Sequence, residues 1–329
     1  MEMKQLVDNF SKQLSEALQI GRNSKIQPLK NSIQNIVISG LGGSGIGGSI
    51  VSQLVEAECS APITIIKGYF LPAFVGKNTL LIISSYSGNT EETLNAMQMG
   101  IEKGAQIVAI TSGGKVEEIC QKNGFDFIKV PAGFPPRSCL GYSLTQLFFI
   151  LKSFGLIKLD FENAIEKSIL KLENFKSEIQ DKAKHLATFL ENKMPVIYCE
   201  DRFEAVAVRF RQQINENSKV LCWHHVIPEM NHNELVGWTS KNENLAVVIF
   251  RNESDYFRNN ARIEINKTVI EKYTSNLIEI YSEGETDLER AIYLIHLGDW
   301  ASCYLADLRG VDAVEINVIN NLKNSLAGI

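Results

Sequence analysis

The chain has 329 residues, is 45% hydrophobic and 22% charged, and carries a formal net charge of −5 at pH 7. That length suggests two domains, and the acidic balance excludes the basic footprint expected of a nucleic-acid binder. Six scattered cysteines (Cys59, Cys120, Cys139, Cys199, Cys222 and Cys303) contain no C-x-x-C pair and read as reduced thiols of a cytoplasmic protein; no apolar run reaches the roughly 18 residues of a membrane span.

Residues 1–20 are polar and helical in pattern, without the apolar stretch of a signal peptide. Ile36–Ile38 reads as a strand ending at Gly40, followed by a helix over Gly45–Ala57. Strands at Ile63–Ile66, Thr79–Ile83, Gln106–Ile110 and Phe127–Val130 then alternate with helices at Glu91–Lys103 and Val116–Asn123. Short apolar runs between amphipathic helices argue for an α/β fold, a mostly parallel sheet with helices on both faces in three layers. From Leu144 to Asn192 the pattern is helical, broken at Gly155, with the apolar run Leu144–Leu151 read as a buried helix. Strand–helix alternation resumes at Val196–Tyr198, Val220–Cys222, Leu245–Phe250 and Leu277–Ile280, and helices are expected at Asp287–Arg309 and Val314–Leu326. We place one domain over 1–153 and a second over 154–329. The stretch Asn78–Ile83 and the stretch Asn244–Ile249 each lead into a polar loop and a helix, which hints at an internal duplication.

Two loops of the first half can hold an anion. Gly40-Leu41-Gly42-Gly43-Ser44-Gly45 fits G-x-G-x-x-G between a strand and a helix, a loop that lets backbone N–H groups approach a phosphate. A dinucleotide site would want an acidic residue at the end of the second strand, and Lys67 stands there instead. No Gly-Lys-Ser/Thr follows, so a P-loop is excluded. In the second loop, Ser84, Ser85, Ser87 and Thr90 cluster around Gly88 and Asn89 ahead of a helix. One hydroxyl would suffice as a helix cap, whereas four within seven positions suit a phosphate monoester held by neutral donors.

Gly40–Gly48, Ser84–Thr93, Pro135-Pro136-Arg137, Asn215-Glu216-Asn217-Ser218-Lys219 and Pro228-Glu229-Met230-Asn231-His232-Asn233-Glu234 together resemble the bifunctional phosphoglucose/phosphomannose isomerases of the sugar isomerase (SIS) superfamily. The hydroxyl loop marks only the superfamily; the two later segments are much more specific. The resemblance implies two SIS domains, a homodimer with active sites at the subunit interface, and isomerisation of hexose 6-phosphates without a metal or other cofactor. It implies phosphate binding by Gly43, Ser44, Ser85, Ser87 and Thr90. It further implies Arg137 near the reacting carbons, Glu216 as the base, His232 supplied by the partner subunit to help open the sugar ring, and Lys323 as the lysine of the last helix.

That set suits the chemistry. Aldose–ketose isomerisation moves a proton between C1 and C2 through a cis-enediol, which asks for a carboxylate base, a cation beside the developing oxyanion and a second acid/base for ring opening. A mannose phosphate differs at C2 alone and gives the same enediol. His224, His225, Glu229, His232 and Glu234 also form a dense set of potential metal ligands, but their spacing matches no zinc pattern. The rival function is a non-catalytic sugar-phosphate sensor, which would normally add a basic DNA-binding domain; the first 35 or so residues are not basic.

Overall fold

The computed structural model describes residues 2–28, 31–326 and 328. They form two compact units. The first comprises Asn9–Asn174 with Gly284–Glu289, and the second Met1–Asp8, Phe175–Glu283 and Arg290–Ile329.

The chain opens with α1 (Met3–Asp8), which belongs to the second unit, and α2 (Phe10–Asn23), which belongs to the first and buries the stripe Phe10, Leu14, Ala17, Leu18 and Gly21. The first unit then runs through β1 (Asn35–Ser39), α3 (Gly42–Val55), β2 (Ile63–Ile66), β3 (Thr79–Ser84), α4 (Glu91–Glu102), β4 (Gln106–Thr111), α5 (Gly114–Asn123) and β5 (Asp126–Lys129). These five strands form one parallel sheet in the order β2-β1-β3-β4-β5. Side chains alternate across a strand, so Val37, Leu81, Ile83, Ile107 and Ala109 share a core with Ala96 and Met97 of α4 and Val116 and Cys120 of α5. The opposite face takes α3, which packs on β1, β2 and α6 (Leu140–Ser153). Every residue from Leu140 to Leu151 is buried. Gln146, the polar residue in that apolar run, donates its amide to the Ala17 carbonyl at 2.7 Å. Gly155, at φ +67°, follows the end of α6. α7 (Phe161–Asn174) closes the unit and is tied to α2 by Arg22, which reaches Glu162 at 2.8 Å and Glu166 at 2.6 Å.

The chain leaves β1 toward β2 on one side and returns to β3 on the other. The loops that follow β1 and β3 therefore part at the carboxyl edge of the sheet, the place where open α/β sheets bind ligands.

The second unit continues with α8 (Lys176–Leu190), β6 (Met194–Glu200), α9 (Glu204–Gln213), β7 (Trp223–Ile227), β8 (Leu245–Arg251), α10 (Phe257–Ile270), β9 (Leu277–Tyr281), α11 (Asp287–Leu308) and α12 (Asn317–Leu326). Its parallel sheet runs β7-β6-β8-β9. This repeats the order of the first four strands of the other sheet, and the two segments whose likeness suggested a duplication are β3 and β8, which hold equivalent places. Val196, Tyr198, Val247 and Ile249 pack with Ile263 and Ile270 of α10, while Phe250 packs against Phe210 of α9 with ring centroids 5.6 Å apart.

One expected strand is misplaced. Val220–Cys222 is not a strand: β7 begins at Trp223, and Leu221 is 80% exposed. Leu221 stands out at the exit of a turn whose backbone groups are bonded locally, with Val220 and Cys222 half-buried beside it. Among the described residues no helix is long and apolar enough to cross a membrane, and all six cysteines are free thiols.

Candidate active site

In the first unit the glycine loop and the hydroxyl loop meet at the carboxyl ends of β1 and β3. The Tyr86 N–H donates to Ser44 Oγ at 3.1 Å, and Ser84 Oγ donates to the Ser44 carbonyl at 3.2 Å, so the two loops are stitched together. Ser85 is buried and its hydroxyl donates to Thr90 Oγ1 at 3.3 Å; Ser87 is exposed and accepts from the Asn89 N–H at 3.3 Å. Thr90 is the N-cap of α4, yet its hydroxyl makes no capping bond, and Leu41 at the start of α3 offers none. Two helix amino ends thus point into one crevice without a side-chain cap, ringed by neutral hydroxyls. Unsatisfied N–H groups and the positive end of each helix dipole favour an anion there. Gly43, Ser44, Ser84, Tyr86 and Pro136 help to line a small, partly open cavity of about 10 Å³, room for about one water.

Two glycines set this geometry. A Cβ on Gly43 would stand 2.6 Å from the Pro136 carbonyl oxygen and 3.0 Å from Arg137 Cα, so only glycine lets α3 press against the 3₁₀ turn Pro136–Ser138. Gly88 has φ +67° and would place a Cβ 1.8 Å from the Gly113 carbonyl oxygen. Arg137 is buried in the turn that abuts Gly43, so the structure brings Gly43, Ser44, Ser85, Ser87, Thr90 and Arg137 into one neighbourhood.

Sequence reasoning assigned no role to Tyr86. Its hydroxyl donates to the Pro131 carbonyl at 2.9 Å and accepts from the Phe134 N–H at 3.1 Å, fixing the segment that carries Arg137. Burial, helped by Cys139, holds the phenol well above its ordinary pKa, so it stays neutral. Gln13 was also missed. Its amide donates to the Ser138 carbonyl at 2.8 Å and accepts from the Gly141 N–H at 2.7 Å, bracing the turn from below. Both act through contacts between segments distant in sequence, for which no local signal exists.

In the second unit, α9 widens at its end into a single π turn, Ile214–Ser218, which carries Glu216 and closes at Lys219 in the left-handed conformation, φ +57°. Three side-chain bonds hold the turn. Asn217 donates to Ser302 Oγ at 2.9 Å, Ser218 Oγ donates to the Ser302 carbonyl at 2.7 Å, and Asn215 donates to the Val220 carbonyl at 2.7 Å. One turn earlier on α9, buried Arg209 grips Asp299 through two bonds of 3.2 and 2.7 Å.

His232 is exposed at the end of the 3₁₀ turn Glu229–His232. Its neighbours are fixed. Tyr198 donates to Glu234 at 2.5 Å, Trp238 Nε1 donates to the Tyr198 hydroxyl at 3.2 Å, and Asn231 donates to Asn266 at 2.6 Å. Glu216 precedes the amino end of β7 and His232 follows its carboxyl end, so the whole strand, about 15 Å of chain, runs between them. Lys323 is exposed on α12, a helix with no buried residue. The histidine-rich stretch is engaged elsewhere: His224 lies 3.1 Å from Arg211 Nη1 and 3.5 Å from Glu204, while Glu229 accepts from Asn233 at 2.7 Å. Among the described residues no group of three or more His, Cys, Asp or Glu side chains converges to hold a metal.

Residues 179–326 match the family model described as the bacterial phospho-glucose isomerase C-terminal SIS domain. The chain is 41% identical to a bifunctional phosphoglucose/phosphomannose isomerase of Caldicellulosiruptor bescii, with 99% of each chain covered. It is 37% identical to one of Aquifex aeolicus, over 89% of this chain and 90% of that one. Among solved structures, the C-terminal domain of glucosamine-fructose-6-phosphate aminotransferase from Francisella tularensis superposes with a TM-score of 0.72 at 13% identity, covering 94% of this chain and 96% of that one. That last likeness is one of fold.

Proposed function

The chain belongs to the family of bifunctional phosphoglucose/phosphomannose isomerases, and from that membership we propose that this sugar-phosphate isomerase interconverts glucose 6-phosphate and fructose 6-phosphate, and also accepts mannose 6-phosphate. The observation that carries the substrate class is the pair of uncapped helix amino ends framed by Ser44, Ser85, Ser87 and Thr90. It favours a phosphate monoester gripped by neutral donors, far enough from the reacting carbons for its binding energy to serve orientation.

In this reading His232 assists ring opening, Glu216 takes the C2 proton of the open aldose and returns it to C1 while the O2 hydroxyl proton passes to O1 through the enediol, and the Arg137 guanidinium stabilises the negative charge on the enediol oxygen. Lys323 supplies a second cation. Mannose 6-phosphate enters through the same enediol when Glu216 reaches the opposite face of C2. The protein acts as a homodimer, and His232 serves the partner's site. The separation of Glu216 and His232 by the length of β7 supports that sharing, because within one unit the two stand at opposite ends of a sheet.

Assays of fructose 6-phosphate and mannose 6-phosphate conversion on the purified protein test the reading. Glu216→Gln is expected to lower turnover by about 10²–10⁴-fold, the usual contribution of a general base, while a phosphate-bearing competitive inhibitor still binds. A Glu216→Gln enzyme with near-normal turnover would sink the mechanism.

A further inference from the structure

Lys219 ends the turn that carries Glu216, and its ammonium is turned onto the backbone. Nζ donates to the Glu216 carbonyl and, at 2.8 Å, to the Glu315 carbonyl. Glu315 lies 96 residues away in sequence, in the segment that leads into α12. The Glu315 carboxylate in turn accepts the Asn317 N–H at the first residue of α12. A continuous path of hydrogen bonds therefore runs from the backbone of Glu216 through one ammonium to the foot of the helix that bears Lys323.

The physical reason for a lysine here is specific. The carbonyls at a helix carboxyl end have no partner within the helix, and a cation there is favoured by both hydrogen bonding and the helix dipole. Glycine would be the ordinary residue for the left-handed position that Lys219 occupies. A glycine could close the turn but could not bridge to a second stretch of chain. Asn217 and Ser218 already fasten the turn to α11 through Ser302, so closing the turn does not by itself call for the ammonium.

We propose that Lys219 is a positioning residue that holds the Glu216 turn and the amino end of α12 in fixed register, so that the base and the C-terminal lysine are presented together. The proposal rests on the reading of Glu216 as the base. Lys219 acts through these two backbone carbonyls, and it neither donates nor accepts a proton in the reaction.

The test uses the full-length protein with three variants. Lys219→Met, which keeps the reach of the side chain and removes its donors, is expected to lower kcat by about 10–100-fold, in line with misplacement of a catalytic group by about 1 Å. KM should stay within about twofold, since the phosphate cradle is untouched. Both limbs of the pH profile should stay where they are in the wild type. Lys219→Arg, whose guanidinium can reach both carbonyls, should recover most of the loss. In parallel, limited proteolysis should cut within 316–326 faster in Lys219→Met than in the wild type. Should Lys219→Met fail to fold, Lys219→Gln, with one donor group, is read in the same assays. A kcat within about twofold of the wild type, loss of a pH limb, or unchanged proteolysis of the C-terminal helix would each overturn the proposal. Glu216→Gln, measured alongside, separates the two ideas: if it stays active, the base assignment has failed and not the bridge alone.

Discussion

Asp255 lies behind the amino end of α10, where it accepts the Asn252 backbone N–H at 2.9 Å and the Asn252 amide at 3.1 Å. Burial, with the Glu200 carboxylate nearby and in spite of those donors, pushes its pKa up to about 6. His296, inside α11, accepts from Trp300 Nε1 at 3.1 Å, and burial pushes its pKa down to about 4. The two oppose each other in acid. A carboxyl whose folded pKa exceeds its unfolded value contributes stability that is complete below about 3.8 and lost as pH rises through about 6. A histidine whose folded pKa is depressed contributes stability that is complete above about 6.5 and lost as pH falls through about 4. Each effect is on the order of 3 kcal/mol at most, so they nearly cancel between about pH 4 and 6. Thermal melts of two variants across that window, each compared with the wild type, separate the two contributions. Relative to the wild type, the slope should turn downward toward acid for Asp255→Asn, which removes the opposing carboxyl, and upward toward acid for His296→Phe. Parallel pH dependences in both variants would contradict these environments.

At the scale of elements, the site depends on how closely α3 approaches the turn Pro136–Ser138. Gly43→Ala would set a methyl against the Pro136 carbonyl oxygen, and neither partner can yield cheaply because both are backbone. The turn that bears Arg137 must then retreat. The expected result is a loss of about 10–100-fold in kcat/KM together with a lowered melting temperature, since overpacking of this kind costs about 1–3 kcal/mol; a Gly43→Ala enzyme of normal efficiency would mean that this approach does not position Arg137. The approach itself is long-range and was invisible in the sequence, whereas the hydroxyl loop was legible because its residues are neighbours in the chain. The same divide explains the strands. β3 and β8 announce themselves as apolar runs with turn signals on both sides, but Val220-Leu221-Cys222 imitates such a run and is not a strand. What fixes that segment is the bond from Asn215 to the Val220 carbonyl and the anchoring of the π turn to Ser302, 85 residues away. Glu216 sits in that turn among asparagines and a serine, so nothing local distinguishes it from a solvated loop residue. Only its likeness to a family motif singled it out.

At the scale of the whole molecule, the distance between Glu216 and His232 becomes an argument about copies. Both belong to the second unit, yet β7 separates them, which favours the proposal that His232 serves the site of a second copy. In a symmetric dimer with His232 donated across the interface, each site takes Glu216 from one protomer and His232 from the other. Homodimers of Glu216→Gln and of His232→Gln should then both be weak. Co-expressed or unfolded and refolded together at equal amounts, they should form mixed dimers in which one site lacks both groups and the other is intact. Random pairing makes half of the dimers mixed, each with one good site of two, so about a quarter of wild-type activity should return. Mixing cannot help if each copy supplies both residues to its own site, because every protomer would still lack one of them. Recovery to about a quarter, rising in step with the fraction of mixed dimer resolved by native mass spectrometry, is the outcome expected of a shared site. No recovery at a demonstrated mixed-dimer fraction would remove His232 from the partner's chemistry while leaving the phosphate cradle and Glu216 as they stand.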